Sequence, residues 1–194
     1  MLNINSNLCW KSHYTLEVFR PNWLGRLVAR WRRGGLSGLP LRTLRFLAYS
    51  RGSVEADNII PTEGRNSILN VAFNAATQIT AWYLSVFANN YTPVAGDTAA
   101  TFPAAAGEST AYAEATRPAW NEAAAAAGVI TNAASPATFT FNATATLYGG
   151  ALSSSSVKAG TAGVLVSAAK FSTAKGVDSG DIGVMTASIT LIST

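Results

Sequence analysis

One cysteine, Cys9, stands among 194 residues, so an internal disulfide is excluded. Cysteine gives no support to a disulfide-braced secreted scaffold, and the sequence suits a reducing compartment. One histidine, His13, is too little for a histidine-rich zinc site, and it has no Cys or acid at ligand spacing. Charged side chains make up 12% of the chain, about half the usual share. Ala, Thr, Ser and Gly take their place, which gives a polar but weakly charged surface that suits packing against other subunits and equally fits a plain small-residue β protein. No apolar run approaches the ~18 residues of a membrane span. Residues 1–11 lack the basic start and apolar block of a signal peptide.

The charge that is present is unevenly placed. Residues 1–51 carry nine basic residues (Lys11, Arg20, Arg26, Arg30, Arg32, Arg33, Arg42, Arg45, Arg51) against Glu17, which gives +8. Residues 52–194 carry five basic residues and nine acids, which gives −4. The pI of about 9.5 therefore belongs to the N-terminal quarter.

The chain is organised around residues 78–93. In an extended conformation Trp82, Leu84 and Val86 face one way, and Tyr83, Ser85 and Phe87 the other. Apolar residues on both faces predict a strand covered on both sides, near the centre of a β domain. Asn89, Asn90 and Pro93 end it. Upstream, residues 13–20 alternate, with Tyr14, Leu16 and Val18 on one face, and Pro21 stops the run. A helix is expected over 62–76, with Thr62 as N-cap and Glu63 in the first turn. Its stripe of Ile68, Leu69, Ala72, Phe73 and Ala76 is expected to pack on the sheet.

Residues 94–108 read as a loop with exposed tips, and 109–117 as an alternating segment around Tyr112. Residues 119–127 are expected as strand or loop despite their alanines. The strongest β signal is 137–148, where Phe139, Phe141, Ala143, Ala145 and Leu147 alternate with threonines and Asn142. It reads as one half-buried strand that Gly149 and Gly150 bend. Further strands are expected at 129–132, 163–171 and 181–192. Trp82, Phe139 and Phe141 are expected in the core. Short strands separated by Gly/Ser/Asn turns predict a mainly β chain, a single β-sandwich of Ig-like or jelly-roll-like type with one packed helix.

Residues 22–52 do not share this grammar. Trp23, Leu24, Leu27, Val28 and Trp31 form one apolar helical stripe, with Arg26, Arg30 and Arg33 off it. Three readings compete. A Trp/Arg helix would lie on a membrane surface. A basic arm would bind nucleic acid or an acidic partner. The third is an insertion without a dedicated role that buries little. Its Arg, Gly, Leu, Pro, Ser and Trp are also what GC-rich DNA yields in an unintended frame. Trp23, Arg26, Arg30, Trp31, Arg32 and Arg33 are the candidate contacts. The domain division that follows is 1–57, a strand plus an arginine-rich arm or insertion, and 58–194, the β-sandwich.

Catalytic patterns are sparse. Asp178 and Asp181 flank Ser179-Gly180, a spacing that suits a polar turn better than a cation loop. Gly160-Thr161-Ala162-Gly163 lacks the Lys-Ser/Thr ending of a phosphate loop. Nothing selects a hydrolytic carboxylate pair from the acids. No cofactor or metal is expected, and enzymatic activity is not.

One ordered series of short motifs remains. It comprises Asn58-Ile59-Ile60-Pro61-Thr62-Glu63-Gly64-Arg65-Asn66-Ser67-Ile68-Leu69, Ala81-Trp82-Tyr83-Leu84 and Tyr91-Thr92-Pro93-Val94-Ala95-Gly96-Asp97-Thr98. It continues with Tyr112, Ala115-Thr116-Arg117-Pro118-Ala119-Trp120, Ile130-Thr131-Asn132 and Ser135-Pro136-Ala137-Thr138-Phe139-Thr140-Phe141-Asn142-Ala143. The series resembles a family of small virion structural proteins of tailed bacteriophages and prophages, from about Asn58 to the C-terminus. In such relatives a short polar connection would replace residues 21–57. The resemblance implies a non-enzymatic particle component assembled in the host cytoplasm. Capsid decoration or cementing is the preferred role, with the major capsid protein as partner and a homo-oligomeric arrangement in the particle. The alternatives are a tail or fibre-associated structural protein and a basic nucleic-acid- or membrane-binding module. A polysaccharide-degrading enzyme comes last.

Overall fold

A computed structural model describes residues 8–31, 36, 39–57 and 59–193. Arg32, Arg33 and Asn58 lie outside the described residues. The chain is mainly β, with two antiparallel sheets. In chain order the described elements are β1 (Leu8–Pro21), α1 (Trp23–Trp31), α2 (Leu41–Leu47), β2 (Ala48–Asp57), α3 (Thr62–Phe73) and β3 (Tyr83–Phe87). Then follow α4 (Phe102–Ala106), β4 (Val129–Thr131), β5 (Ala137–Thr140), β6 (Ala145–Ser153), β7 (Leu165–Val177) and β8 (Ile182–Ser193).

The larger sheet runs β2-β1-β8, and the far edge of β8 is shared end to end by β4 and β5. The smaller sheet runs β3-β6-β7. One core joins them. Tyr14, Leu16 and Val18 of β1 are fully buried, as their alternation predicts, and they cluster with Leu84, Val86, Leu147, Val166 and Met185. Phe139 and Phe141 belong to the same cluster.

The smaller sheet is buried on its other face too. Residues 94–108 have the expected exposed tips, at 94–96 and 100–101, but they also carry α4 and a buried side: Ala99, Phe102 and Ala106 cover Phe87, Ala151, Leu165 and Ala168. This explains the apolar residues on both faces of β3. β3 is nevertheless the end strand of its sheet and not central. Its free edge is covered by loop backbone, with Ser109 N donating to Val86 O (2.8 Å) and Leu84 N to Pro118 O (2.9 Å). Around Tyr112 there is a single β-bridge, to Phe141, and no strand.

The 137–148 run is two strands in different sheets. β5 pairs with β8, and the chain then crosses so that β6 pairs with β3 and β7. Asn142, Ala143 and Thr144 are exposed at the crossing. The sequence alternation runs through the crossing although Ala143 there is exposed, because Phe139 and Phe141 on one side and Leu147 on the other enter the same core. Gly149 and Gly150 do not end β6, which continues to Ser153.

Helix α3 departs furthest from expectation. It starts at Thr62 without a side-chain cap, because Pro61 occupies the cap position and the Thr62 hydroxyl accepts from Arg65 instead. Leu69, Ala72, Phe73 and Ala76 are exposed, and Ile68 is half-buried. The helix meets the sheet through Gly64. A β-carbon there would lie 2.5 Å from the Val166 carbonyl oxygen, so only glycine allows this approach. The closeness comes at the first turn, and the rest of the helix diverges from the sheet. Trp82 likewise is half-buried against the core and not enclosed by it.

The arginine-rich segment is folded onto the larger sheet. β2 pairs antiparallel with β1 and carries one extra residue opposite Glu17 and Phe19, where Gly52 adopts φ 93°. The expectation that this segment buries little fails for Leu36, Leu44, Leu47 and Ala48. They are buried with Phe19, Ile182 and Val184 in a second cluster. Gly25 lets α1 cross α2 closely, since a β-carbon there would meet the Leu47 carbonyl.

Candidate functional site

Most acids are committed to internal partners. The Glu63 carboxylate accepts from Ala99 N (2.8 Å) and Leu165 N (2.7 Å), joining α3, the 94–108 segment and β7. Asp97 accepts from the Tyr91 hydroxyl (2.7 Å) and Val94 N (2.8 Å). Glu114 accepts from Thr140 N. Glu108 forms a buried ion pair with Arg117. Beside that pair lies a void of about 10 Å³, room for about one water and no organic ligand.

Asp178 and Asp181 stand at the β7–β8 turn beside an open groove of about 410 Å³, and two arginine side chains pair with them. Arg20 Nε donates to Asp181 Oδ1 (2.8 Å) and Arg51 Nη1 to Asp178 Oδ2 (3.1 Å). The Arg20–Asp178 and Arg51–Asp181 contacts complete the square. Arg20 holds the Asp178 carboxyl below the usual range. Burial pushes Asp181 up, but the bonds from Arg20, the Asp178 amide and Arg51 outweigh it, so its net shift is also downward. Lys175 donates to the Arg51 carbonyl, and burial first, then Arg51, lowers its pKa. Two cations already answer the two carboxylates. His13 sits at the surface with its ring 3.0 Å from Asp57. Among the described residues no three His, Cys, Asp or Glu side chains converge as metal ligands.

Asn132 has a different task. It is fully buried between β4 and β5, where it accepts from Ala187 N (2.8 Å) and donates to Met185 O (3.2 Å). Its side chain replaces the missing strand backbone in that gap. Trp120 Nε1 donates to Ala187 O nearby (3.1 Å). The Tyr14 hydroxyl meets Ser167 Oγ at 2.5 Å, and burial raises its pKa against the lowering effect of that bond.

Among the described residues, two helix faces carry clustered exposed apolar side chains. The first is α3, where Phe73 is 84% exposed and Leu69 also faces outward. Beside it Ile68, Val71, Ile79, Trp82 and Ile130 line a groove of about 340 Å³. Residues 74–81 pass along it without regular structure.

The second is the outer side of α1. The apolar stripe read from sequence is divided. Leu24 and Val28 pack inward, whereas Trp23 (73% exposed), Leu27 and Trp31 (84% exposed) face outward beside exposed Arg26 and Arg30. The structure thus brings four of the six sequence candidates to one helix face. Among the described residues no helix is long and apolar enough to cross a membrane. No protein-family model matches the chain, and neither does any curated protein.

Proposed function

We propose that this chain is a non-enzymatic structural component of a tailed-bacteriophage particle, a β-sandwich of Ig-like or jelly-roll-like type that decorates or cements the capsid. The observation that carries this reading is the outward face of α3, with Leu69 and Phe73 bare beside an apolar groove. Exposed apolar side chains grouped on a folded protein commonly mark a contact with another protein. On a shell many copies would each make a modest contact, and the contacts would sum. The motif series supports the phage assignment. The fixed partners of most carboxylates support a structural role: Glu63, Asp97, Glu108, Glu114, Asp178 and Asp181 all hold the fold together.

The test is to purify particles of the phage or induced prophage that encodes the chain and to quantify it against the major capsid protein. Copy number on the scale of the capsid protein is expected. Leu69→Asp with Phe73→Asp should remove the chain from particles while leaving its melting unchanged. A copy number on the scale of a tail subunit would move the assignment to the tail. Complete absence from particles, with the protein abundant in the lysate, would end it.

A further inference from the structure

We infer that the outer face of α1 docks on an anionic lipid surface, with Trp23, Leu27 and Trp31 entering the interface and Arg26 and Arg30 meeting headgroup phosphates. The inward side of this helix is already satisfied by Leu24 and Val28 against the Leu36, Leu44 and Leu47 cluster. The outward apolar residues are therefore surplus to the fold. They lie at successive one-turn steps and form one row along the helix.

Charge selects the occupant. Residues 22–51 contain seven arginines and no acid. Arg45 is answered by Glu17, and Arg51 by Asp178 and Asp181. Arg26, Arg30 and Arg42 have no ion pair among the described residues, and all three are exposed. A surface that complements this face must be anionic and also accept two indole rings and a leucine. The lipid headgroup–acyl boundary offers both, and tryptophan and arginine favour that depth. A nucleic-acid site would centre on the arginines, but here they flank the Trp/Leu/Trp row.

The full chain should co-sediment with vesicles of equal phosphatidylglycerol and phosphatidylcholine and not with phosphatidylcholine alone. Arg26→Ala with Arg30→Ala should weaken partition roughly 25-fold, about fivefold for each basic residue at an anionic surface. Trp23→Ala with Trp31→Ala should abolish binding with the melting curve unchanged. Brominated lipid should quench the wild-type tryptophan emission, and Trp23→Phe with Trp31→Phe should lose that quenching while still binding. Binding that is indifferent to both tryptophan pairs would overturn the inference. So would retention of a DNA oligonucleotide with no vesicle binding. A tryptophan-dependent dimer that ignores vesicles would assign the face to a second copy of the chain and overturn it equally.

Discussion

Arg117 and Glu108 form a bidentate pair sealed inside the protein, with Nε–Oε1 at 2.8 Å, Nη2–Oε2 at 2.5 Å and side chains 3% and 2% exposed. The remaining guanidinium donors reach Ser153 Oγ, the Ser155 carbonyl and the Gly160 carbonyl. The pair thus ties the segment beside β3 to β6 and to the loop before β7. Removing one partner leaves an uncompensated buried charge. Glu108→Gln should cost about 3–5 kcal/mol, read from urea unfolding at neutral pH. A loss below about 1 kcal/mol, the range of exposed pairs, would mean that water reaches the site.

Asp178 and Asp181 make stability depend on pH in a definite direction. Their folded pKa values lie below the ordinary carboxylate value. In the unfolded chain both titrate near about 4. The folded state therefore binds protons less readily than the unfolded state. Their contribution is fully present above about pH 4 and is lost as pH falls through the depressed folded values. The stability gap between wild type and Asp178→Asn with Asp181→Asn should be constant around neutrality and close in acid. A gap unchanged down to about pH 2 would show that the arginine square adds no ionic stability.

Phe141 lies at the crossing between the sheets, 1% exposed and stacked 6.3 Å from Phe139. Phe141→Ala should cost roughly 3–5 kcal/mol. A thermal melt superimposable on wild type would show that the crossing tolerates the cavity.

Period-two alternation marked the buried faces of β1 and β5 because alternate residues of each strand turn into the main core. It could not show that 137–148 changes sheets, since Phe139 and Phe141 before the crossing and Leu147 after it all enter the same core, and the small exposed Ala143 between them keeps the written alternation unbroken. The α3 stripe misled for a related reason. Periodicity shows that a helix has an apolar face, not that the chain itself covers it. β2 went unread because its apolar residues are few: Ala48, Val54 and Ala56 are buried in a run otherwise polar. Composition could have exposed the internal staples. Where charge is so scarce, Glu63, Glu108 and Arg117 among small neutral residues point to specific partners, but only the fold says which.

Gly64 offers a direct test of how α3 is seated. A β-carbon there would lie 2.5 Å from the Val166 carbonyl oxygen and 2.8 Å from its α-carbon, both backbone atoms of β7. Alanine favours helix intrinsically, so propensity alone would make Gly64→Ala stabilising. Overpacking should win, at a cost of about 1–3 kcal/mol. Because Glu63 bonds Leu165 N from the same turn, amide exchange at Leu165 should accelerate in this variant. A raised melting temperature would mean that the helix shifts outward freely.

The two sides of the arginine-rich segment should respond very unequally to truncation. Leu44 is 1% exposed among Phe19, Leu36, Leu47, Ile182 and Val184, so it anchors α2 on β1 and β8. Leu44→Ala should cost about 2–5 kcal/mol. Trp31 is the larger side chain, yet at 84% exposure it has little to lose, and Trp31→Ala should stay within about 0.5 kcal/mol. Deleting residues 23–51 would remove Leu44, Leu47 and the Arg51 contacts together, along with part of β2. It should therefore lower the melting temperature sharply, contrary to what the segment's composition suggests. If Leu44→Ala and the deletion both melt like wild type, α1 and α2 are peripheral. If Trp31→Ala destabilises as much as Leu44→Ala, the outward face is packed in solution and is not free to bind.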